Sequence, residues 1–246
     1  MKAFWLALQF MSRLPTPQFE QVSGKEMGRA IGYFPIVGLI IGAFLVASAQ
    51  LLVIWLPSEI VAGLVLAIWA WLTGGLHLDG LADTADGWLG GVGNPQRALE
   101  IMKDSRIGTG GGVALMLMLL LKWLALSVLI NAELWWWLLF TPVIGRVAAI
   151  ALMPVTQYVS LQGLAEQMVL NLNKTVVFSW VLLSLLALVW LAWPLAIGLV
   201  AVWVWMRWLM IRITRGMTGD TAGAMTEVIE LITMIGLIAW LGLPDL

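Results

Sequence analysis

The chain has 246 residues, of which 61% are hydrophobic and only 11% charged, and its formal net charge is -1. Soluble domains carry about 25% charged residues, so this composition predicts an integral membrane protein. The balanced charge offers no basic surface to nucleic acid. The absence of cysteine excludes disulfides, thiolate nucleophiles and cysteine-ligated metals. Because no long polar stretch interrupts the sequence, we predict a single membrane domain over residues 1–246.

The first thirty residues do not have the pattern of a cleaved signal peptide. Arg13 and the prolines at 15 and 17 stop the apolar run early, and no small-residue cleavage site follows. We predict an interfacial helix at the start of the chain, followed by a short polar loop over 18–29.

Seven segments are apolar and close to the roughly 20 residues that cross the hydrocarbon core of a bilayer. They are 32–56, 59–76, 111–130, 134–153, 175–193, 195–212 and 228–243. The sequence therefore predicts an all-α fold, a polytopic bundle of about seven spanning helices with short interfacial helices. Gly38 and Gly42 have a spacing that lets two helices approach closely. Trp193-Pro194 predicts a tight hairpin between the fifth and sixth spans.

The distribution of Lys and Arg predicts the topology. With the N-terminus in the cytoplasm, four loops face outside and contain no Lys or Arg: those near 57–59, 131–133, 193–194 and 244–246. Eleven of the 13 basic residues then lie on or near the cytoplasmic side, and the other two, Lys122 and Arg146, lie within spans. This arrangement places two polar segments, 73–112 and 214–230, on the same cytoplasmic face.

The first half of segment 73–112 is acidic. Asp79, Asp83 and Asp86 are spaced i, i+4 and i+7, which stacks three carboxylates along one face of a helix. Like charges at this spacing repel unless a cation lies between them, and oxygen ligands favour Mg²⁺ or Mn²⁺ over zinc. We predict all three as metal ligands and Asp83 and Asp86 also as catalytic residues. The alternative is a solvated helix face with incidental acids.

Glu100 and Asp104 repeat the i, i+4 spacing on a predicted short helix over 95–105, which makes Asp104 a fourth candidate metal ligand. The neighbouring bases, Lys103 and Arg106, lie just before the glycine-rich start of the third span.

Thr109 opens that span, where free backbone N–H groups and the helix dipole attract anions. We predict that Lys103, Arg106 and Thr109 bind phosphate. The planar guanidinium of Arg106 can donate two parallel hydrogen bonds to one phosphate group. The alternative is that the two bases only pair with the neighbouring acids and satisfy the positive-inside rule.

A second polar turn, Thr218-Gly219-Asp220, precedes the last apolar run, which contains Glu227 and Glu230. Thr218 or Asp220 can cap the last helix, but capping leaves the two glutamates unexplained. We therefore take Thr218 as a candidate for substrate binding and Asp220 as a candidate catalytic base.

Two ionisable residues, Arg146 and Lys122, lie at membrane depth, where such groups are often functional. Arg146 is about two turns from the cytoplasmic end of its span, and we predict that it reaches a phosphate. Lys122 is either functional or a buried ion-pair partner. His77, two residues before Asp79, is a candidate for substrate binding or proton transfer, with a neutral hydrogen bond at a helix end as the alternative. Metal-bound carboxylates facing bases indicate transfer of a phosphorus-containing group.

Four blocks of the chain resemble the cobalamin synthase (adenosylcobinamide-GDP ribazoletransferase) family: FWLALQFMSRLPTP, GGLHLDGLADTADG, RALEIMKDSRIGTGGG and TGDTAGA. The resemblance implies that α-ribazole, or its 5′-phosphate, is joined to adenosylcobinamide-GDP with release of GMP and dependence on Mg²⁺. It also implies a multi-pass enzyme of the bacterial cytoplasmic (inner) membrane whose active site faces the cytoplasm.

Mapped onto this reaction, Asp79, Asp83, Asp86 and Asp104 hold Mg²⁺ on the bridging phosphates, and Asp220 accepts the proton of the attacking ribazole hydroxyl. The diphosphate is then bound by the bases Lys103, Arg106 and Arg146. One departure from the family's pattern is the segment 154–173, which has no basic residue to bind the phosphate of ribazole 5′-phosphate. A homo-oligomer, or association with other late enzymes of the pathway, is left open.

Two other functions fit parts of the pattern. CDP-alcohol phosphotransferases of lipid synthesis also carry an aspartate cluster on membrane helices, but this chain has Asp83 where their motif has Arg. A cation-coupled transporter would use the carboxylates as a cation site, although such sites lie near the membrane midplane and at broken helices.

Overall fold

A computed structural model describes residues 1–160 and 164–243. Within these residues the chain forms eleven α-helices, one short 3₁₀ helix and no β-strand. The α-helices are α1 (Lys2–Met11), α2 (Gly24–Ile31), α3 (Phe34–Leu52), α4 (Ser58–Thr73), α5 (Leu76–Gly90), α6 (Pro95–Met102), α7 (Thr109–Asn131), α8 (Thr141–Leu152), α9 (Leu164–Leu170), α10 (Lys174–Thr214) and α11 (Gly219–Trp240), and the 3₁₀ helix is Trp135–Leu139.

In the part of the chain that the structure describes, five helical segments are long and apolar enough to cross a membrane: α3, α7, α10, α11 and the 3₁₀ helix with α8. The bent pair α4 and α5 makes a sixth if it is counted as one span. The predicted all-α membrane bundle is therefore confirmed, with slightly fewer spans than the seven predicted. The lower count arises because the predicted spans 175–193 and 195–212 correspond to two helices that meet at a break at Ala192 and are counted together as α10. The predicted outer loop at 244–246 lies outside the described residues.

Helix α10 has 41 residues and contains a break. Ala192, two residues before Pro194, has non-helical backbone angles (φ -160°, ψ 74°). Proline causes such breaks because it lacks an N–H group and its ring clashes with the preceding turn. The two halves line one apolar cleft against α8. Trp180 Nε1 donates to the carbonyl of Gly32, and Trp203 Nε1 donates to a carbonyl of α8, both at 2.9 Å.

Glycines bring α3 and α8 into close contact. A Cβ on Gly38 would lie 2.8 Å from the carbonyl oxygen of Pro142, and one on Gly42 would lie 2.7 Å from that of Leu138. The pairing runs in opposite directions along the two chains, so α3 and α8 are antiparallel. The start of α3 and the end of α8 consequently lie at one end of the bundle, which we call the site end.

The chain turns sharply between α4 and α5. Gly74 (φ 65°) and Gly75 (φ 71°) both adopt left-handed backbone angles, which residues with a side chain disfavour. The two helices meet at 87°, so α5 turns away from the direction of α4. With 15 residues, α5 is too short to cross a bilayer alone, and by itself it is not one of the five spanning segments.

Two predicted boundaries are wrong. The polar loop predicted over 18–29 contains α2, which Ser23 and Glu26 stabilise through a capping box. The short helix predicted over 95–105 ends at Met102, so Asp104 lies in the loop that follows α6.

Candidate functional site

Helix α5 carries three aspartates, and its packing on α11 brings a fourth beside them. A Cβ on Gly80 would lie 2.8 Å from the Cα of Asp220, so only glycine lets the two backbones approach this closely. Asp79 is exposed, whereas Asp83 and Asp220 are half-buried. Burial, and after it the charges of Asp79, Asp220 and Asp86, raise the pKa of Asp83 to about 7. We call Asp79, Asp83 and Asp220 the site-end carboxylates.

Asp86 lies on the same helix but has protein partners. Its Oδ2 accepts a hydrogen bond from Gly108 N at 2.7 Å, and its Oδ1 accepts one from Gly111 N at 2.8 Å. Asp86 therefore caps the N-terminus of α7 from another helix and neutralises the positive end of that helix. Two of the N–H groups that the sequence suggested for phosphate are thus occupied by this carboxylate.

The acids of the site meet only part of what a metal ion requires. Across residues 1–160 and 164–243, no group of three or more His, Asp or Glu side chains is placed close enough together to hold one. Mg²⁺ usually binds through one or two carboxylates together with phosphate oxygens of the substrate. The clustered site-end carboxylates meet that smaller requirement, because their mutual repulsion favours a cation. The predicted set of four ligands stays a prediction.

The loop before α7 contains an exposed ion pair. Arg106 Nη2 donates to Asp104 Oδ2 at 2.6 Å, and Arg106 Nε donates to Asp104 Oδ1 at 3.0 Å. These hydrogen bonds lower the pKa of Asp104 to about 2. The side chain of Arg106 is 86% exposed, and Lys103 and Thr109 are also exposed. All three residues can meet a ligand from solvent, and their role in phosphate binding stays a prediction.

The turn before α11 is fixed by its own hydrogen bonds. Thr218 is the N-cap: its hydroxyl accepts from Thr221 N at 3.1 Å, and it is buried. Tyr158 lies against this turn, since its neighbour Val159 donates its backbone N–H to the carbonyl of Met217 at 2.9 Å. Burial and the nearby Asp220 raise the pKa of Tyr158. Sequence reasoning missed Tyr158, because the loop after α8 has no recognisable motif.

Four charged side chains form a buried network inside the bundle. Lys122 Nζ contacts Glu227 at 2.6 Å and Glu230 at 2.7 Å, and Arg146 Nη1 contacts Glu230 at 2.8 Å. We call these four residues the interior ion network. The two bases balance the two acids, which explains both glutamates. No part of Arg146 is exposed, and its predicted contact with phosphate stays a prediction.

His77 lies between the two charged regions. It is 5% exposed, and its Cα would lie 3.2 Å from a Cβ on Gly223 of α11. Among the described residues its Nδ1 has no hydrogen-bond partner. His77 is thus enclosed beneath the site-end carboxylates, and its predicted contact with substrate remains untested.

A cavity of about 630 Å³ opens beside Asp79. It lies between the end of α1, the α4–α5 turn and α7, and Arg13 lines it together with Asp79. Sequence reasoning used Arg13 only to mark the end of an apolar run. The arginine's presence in one of the four resembling blocks was the only available signal.

Comparison with known proteins gives a consistent result along the chain. Residues 3–238 match the family described as cobalamin-5-phosphate synthase. A protein of Pseudomonas entomophila strain L48 is 44% identical over 243 residues, which cover 96% of this chain and 98% of the relative. One of Pseudomonas putida strain W619 has the same identity and coverage. One of Acinetobacter baumannii strain ATCC 17978 is 41% identical over 239 residues, covering 95% and 96%.

All three relatives carry the name adenosylcobinamide-GDP ribazoletransferase. No solved structure matches the chain.

Proposed function

Because the chain belongs to the cobalamin-5-phosphate synthase family, we propose that it is an adenosylcobinamide-GDP ribazoletransferase of cobalamin biosynthesis. In this reaction a hydroxyl oxygen of α-ribazole, or of its 5′-phosphate, forms a bond to the phosphorus on the cobinamide side of the diphosphate. The bond from that phosphorus to GMP breaks, and GMP leaves. The observation that supports this proposal most directly is the 44% identity over almost the whole length of both chains.

The site-end carboxylates supply the groups for such a transfer. We assign Asp79 and Asp83 to Mg²⁺, with phosphate oxygens of the substrate completing the coordination. When bound there, the ion neutralises charge that develops on the diphosphate. Asp220 lies beside this pair on α11 and is half-buried, and we assign it the proton of the attacking hydroxyl.

The other residues that the sequence singled out receive different roles, according to where each lies in the structure. Lys103 and Arg106 are exposed on the loop before α7, where they can bind phosphate oxygens of an incoming nucleotide. Asp86 joins α5 to the start of α7, so we assign it the positioning of α5 instead of direct contact with the ion. His77 and Thr218 are buried close to the carboxylates and support their geometry.

We further propose that the protein is a multi-pass protein of the cytoplasmic membrane with the site end facing the cytoplasm. Eleven of its 13 basic residues lie on or near the predicted cytoplasmic side. Cytoplasmic orientation also suits a substrate that carries GDP. Association with other copies or with late pathway enzymes stays a prediction.

The test is a reaction with purified protein in detergent or lipid nanodiscs. Protein, Mg²⁺ and adenosylcobinamide-GDP are incubated with and without α-ribazole, and GMP and the corrinoid product are quantified by chromatography. We expect GMP release that requires α-ribazole and stops when EDTA removes the metal. Release of CMP from CDP-diacylglycerol and an alcohol acceptor, with no GMP release, would instead identify a CDP-alcohol phosphotransferase. Uptake of substrate into vesicles without any transfer would identify a transporter.

A further inference from the structure

The cavity beside Asp79 contains one positive and one negative side chain that face a common space. Arg13 approaches it from the segment after α1, and Asp79 approaches it from the first turn of α5. Its volume of about 630 Å³ lies within the roughly 300–1,000 Å³ range of small-molecule sites. It is thus large enough for a diphosphate with part of the groups attached to it.

The backbone around Arg13 is anchored at two points. Arg13 N donates to the carbonyl of Leu72, at the end of α4, at 2.7 Å. The hydroxyl of Ser12 donates to the carbonyl of Leu8 at 2.7 Å and accepts from Leu14 N at 3.3 Å. These bonds hold the residue at the edge of the α4–α5 turn.

The side chain of Arg13 lies directly over Gly74. A Cβ on Gly74 would lie 3.1 Å from both Cγ and Cδ of Arg13 and would collide with its Nε. A Cβ on Gly75 would meet nothing within 4 Å, although Gly75 has almost the same left-handed backbone angle. The absence of a side chain at Gly74 therefore determines where the guanidinium of Arg13 lies.

Arg13 has no acidic partner among the described residues, where every ion pair involves other side chains. Asp79 lines the same cavity without pairing with it. A guanidinium fits phosphate through two parallel hydrogen bonds and stays charged at all physiological pH values. An anchored, unpaired arginine that shares a cavity with a candidate metal ligand is suited to a phosphate group.

We propose that Arg13 binds the diphosphate of adenosylcobinamide-GDP in the cavity that it shares with Asp79. This assignment rests on the proposed function, and it names a binding residue for the same site. Arg13 donates to non-bridging phosphate oxygens from one side of the cavity, while Asp79 holds the metal ion on the other. The residue forms no covalent bond and takes no proton in the reaction.

The test compares Arg13→Gln with Arg97→Gln, which removes an equal charge from an exposed position on α6. For Arg13→Gln we expect the KM for adenosylcobinamide-GDP to rise roughly 10- to 100-fold, the loss typical of a charge-assisted hydrogen bond. The KM for α-ribazole and the unfolding temperature stay unchanged. Arg97→Gln leaves both KM values within about two-fold of wild type.

Two glycine variants test the geometry independently. Gly74→Ala displaces Arg13, so it also raises the KM for adenosylcobinamide-GDP, whereas Gly75→Ala imposes similar backbone strain and raises it much less. If Arg13→Gln is poorly expressed, Arg13→Lys keeps the aliphatic stem and the charge but loses the fork, and we expect an intermediate KM.

Three results would overturn the assignment. An unchanged KM for adenosylcobinamide-GDP in Arg13→Gln, or an equal rise in Arg97→Gln, excludes Arg13 while leaving the proposed function intact, because wild-type protein still releases GMP. Wild-type protein that releases no GMP with α-ribazole contradicts the proposed function and this assignment together.

Discussion

The interior ion network and the site-end carboxylates are two charged regions of one bundle, and they differ in their partners. In the interior, two bases and two acids contact one another at 2.6 to 2.8 Å and are almost fully buried. At the site end, three carboxylates, all negative when ionised, lie close together on α5 and α11. The interior charges are balanced within the protein, whereas the site-end charges need a cation or a proton from outside.

This difference distinguishes charges that stabilise the fold from charges that bind ligands. A buried charge without a partner is very unfavourable, so each base of the interior network is matched by a carboxylate. Clustered like charges oppose folding and persist where function requires them. Mutations in the first region should therefore change stability, and mutations in the second should change activity.

The largest effect is expected from Glu230→Ala. Glu230 accepts hydrogen bonds from both Lys122 and Arg146. Its removal leaves Arg146 buried with only the carbonyl of Pro142, so the free energy of unfolding should fall by about 3–5 kcal/mol. Denaturant unfolding of the purified protein in detergent measures this change.

The exposed Glu59→Gln variant is the control, and its unfolding free energy should change by less than about 0.5 kcal/mol. The double variant Arg146→Met with Glu230→Met leaves Lys122 paired with Glu227 and should recover most of the loss. Equal stability of Glu230→Ala and wild type would show that the interior network does not stabilise the fold.

Asp83→Asn should have the opposite effect. Burial and the neighbouring carboxylates raise the pKa of Asp83. Replacing its carboxylate with a neutral amide therefore relieves the repulsion between these carboxylates. We expect the unfolding free energy to stay constant or increase, while GMP release falls about 100-fold or more because the proposed metal site loses a ligand. Parallel unfolding and activity measurements test both statements. A variant that is both unstable and active would reverse the assignment of this region.

Asp86→Ala distinguishes two aspartates on one helix. Asp86 caps α7 through Gly108 N and Gly111 N, so its loss should lower the unfolding free energy by about 1–2 kcal/mol. Asp86→Asn keeps one acceptor oxygen and should be less destabilising. If Asp86→Ala leaves stability unchanged but abolishes activity, Asp86 acts as a metal ligand, as the sequence predicted, and not as a cap.

The sequence predicted the helical fold and the row of aspartates on α5 well, because both depend on local patterns. Apolar length identified the spanning segments, and the i, i+4, i+7 spacing placed Asp79, Asp83 and Asp86 on α5. The predicted count of seven is higher than the structural count because the two helices on either side of the break at Ala192 are counted together as α10.

Contacts between distant segments could not be read from the sequence. The spacing that made Asp86 look like a metal ligand is equally compatible with capping α7, and only packing distinguishes the two. Arg146 and Lys122 were recognised as unusual, but their pairing with Glu230 requires three helices to meet. Arg13 and Tyr158 became candidates only after folding placed them beside Asp79 and Asp220.

The smallest effect is expected from Arg106→Gln on the exposed loop before α7. Arg106 holds the pKa of Asp104 at about 2, below the usual value of about 3.9. The contribution of this pair to stability is therefore present above pH ~4 and is lost as the pH falls toward 2. Because the pair is exposed, the unfolding temperature at pH 7 should barely change.

If Arg106 binds phosphate, the KM for adenosylcobinamide-GDP should rise several-fold at constant stability. An unchanged KM would show that Arg106 only pairs with Asp104, and would leave Lys103, Arg13 and the carboxylates of α5 and α11 as the charged groups proposed to bind ligands at the site end.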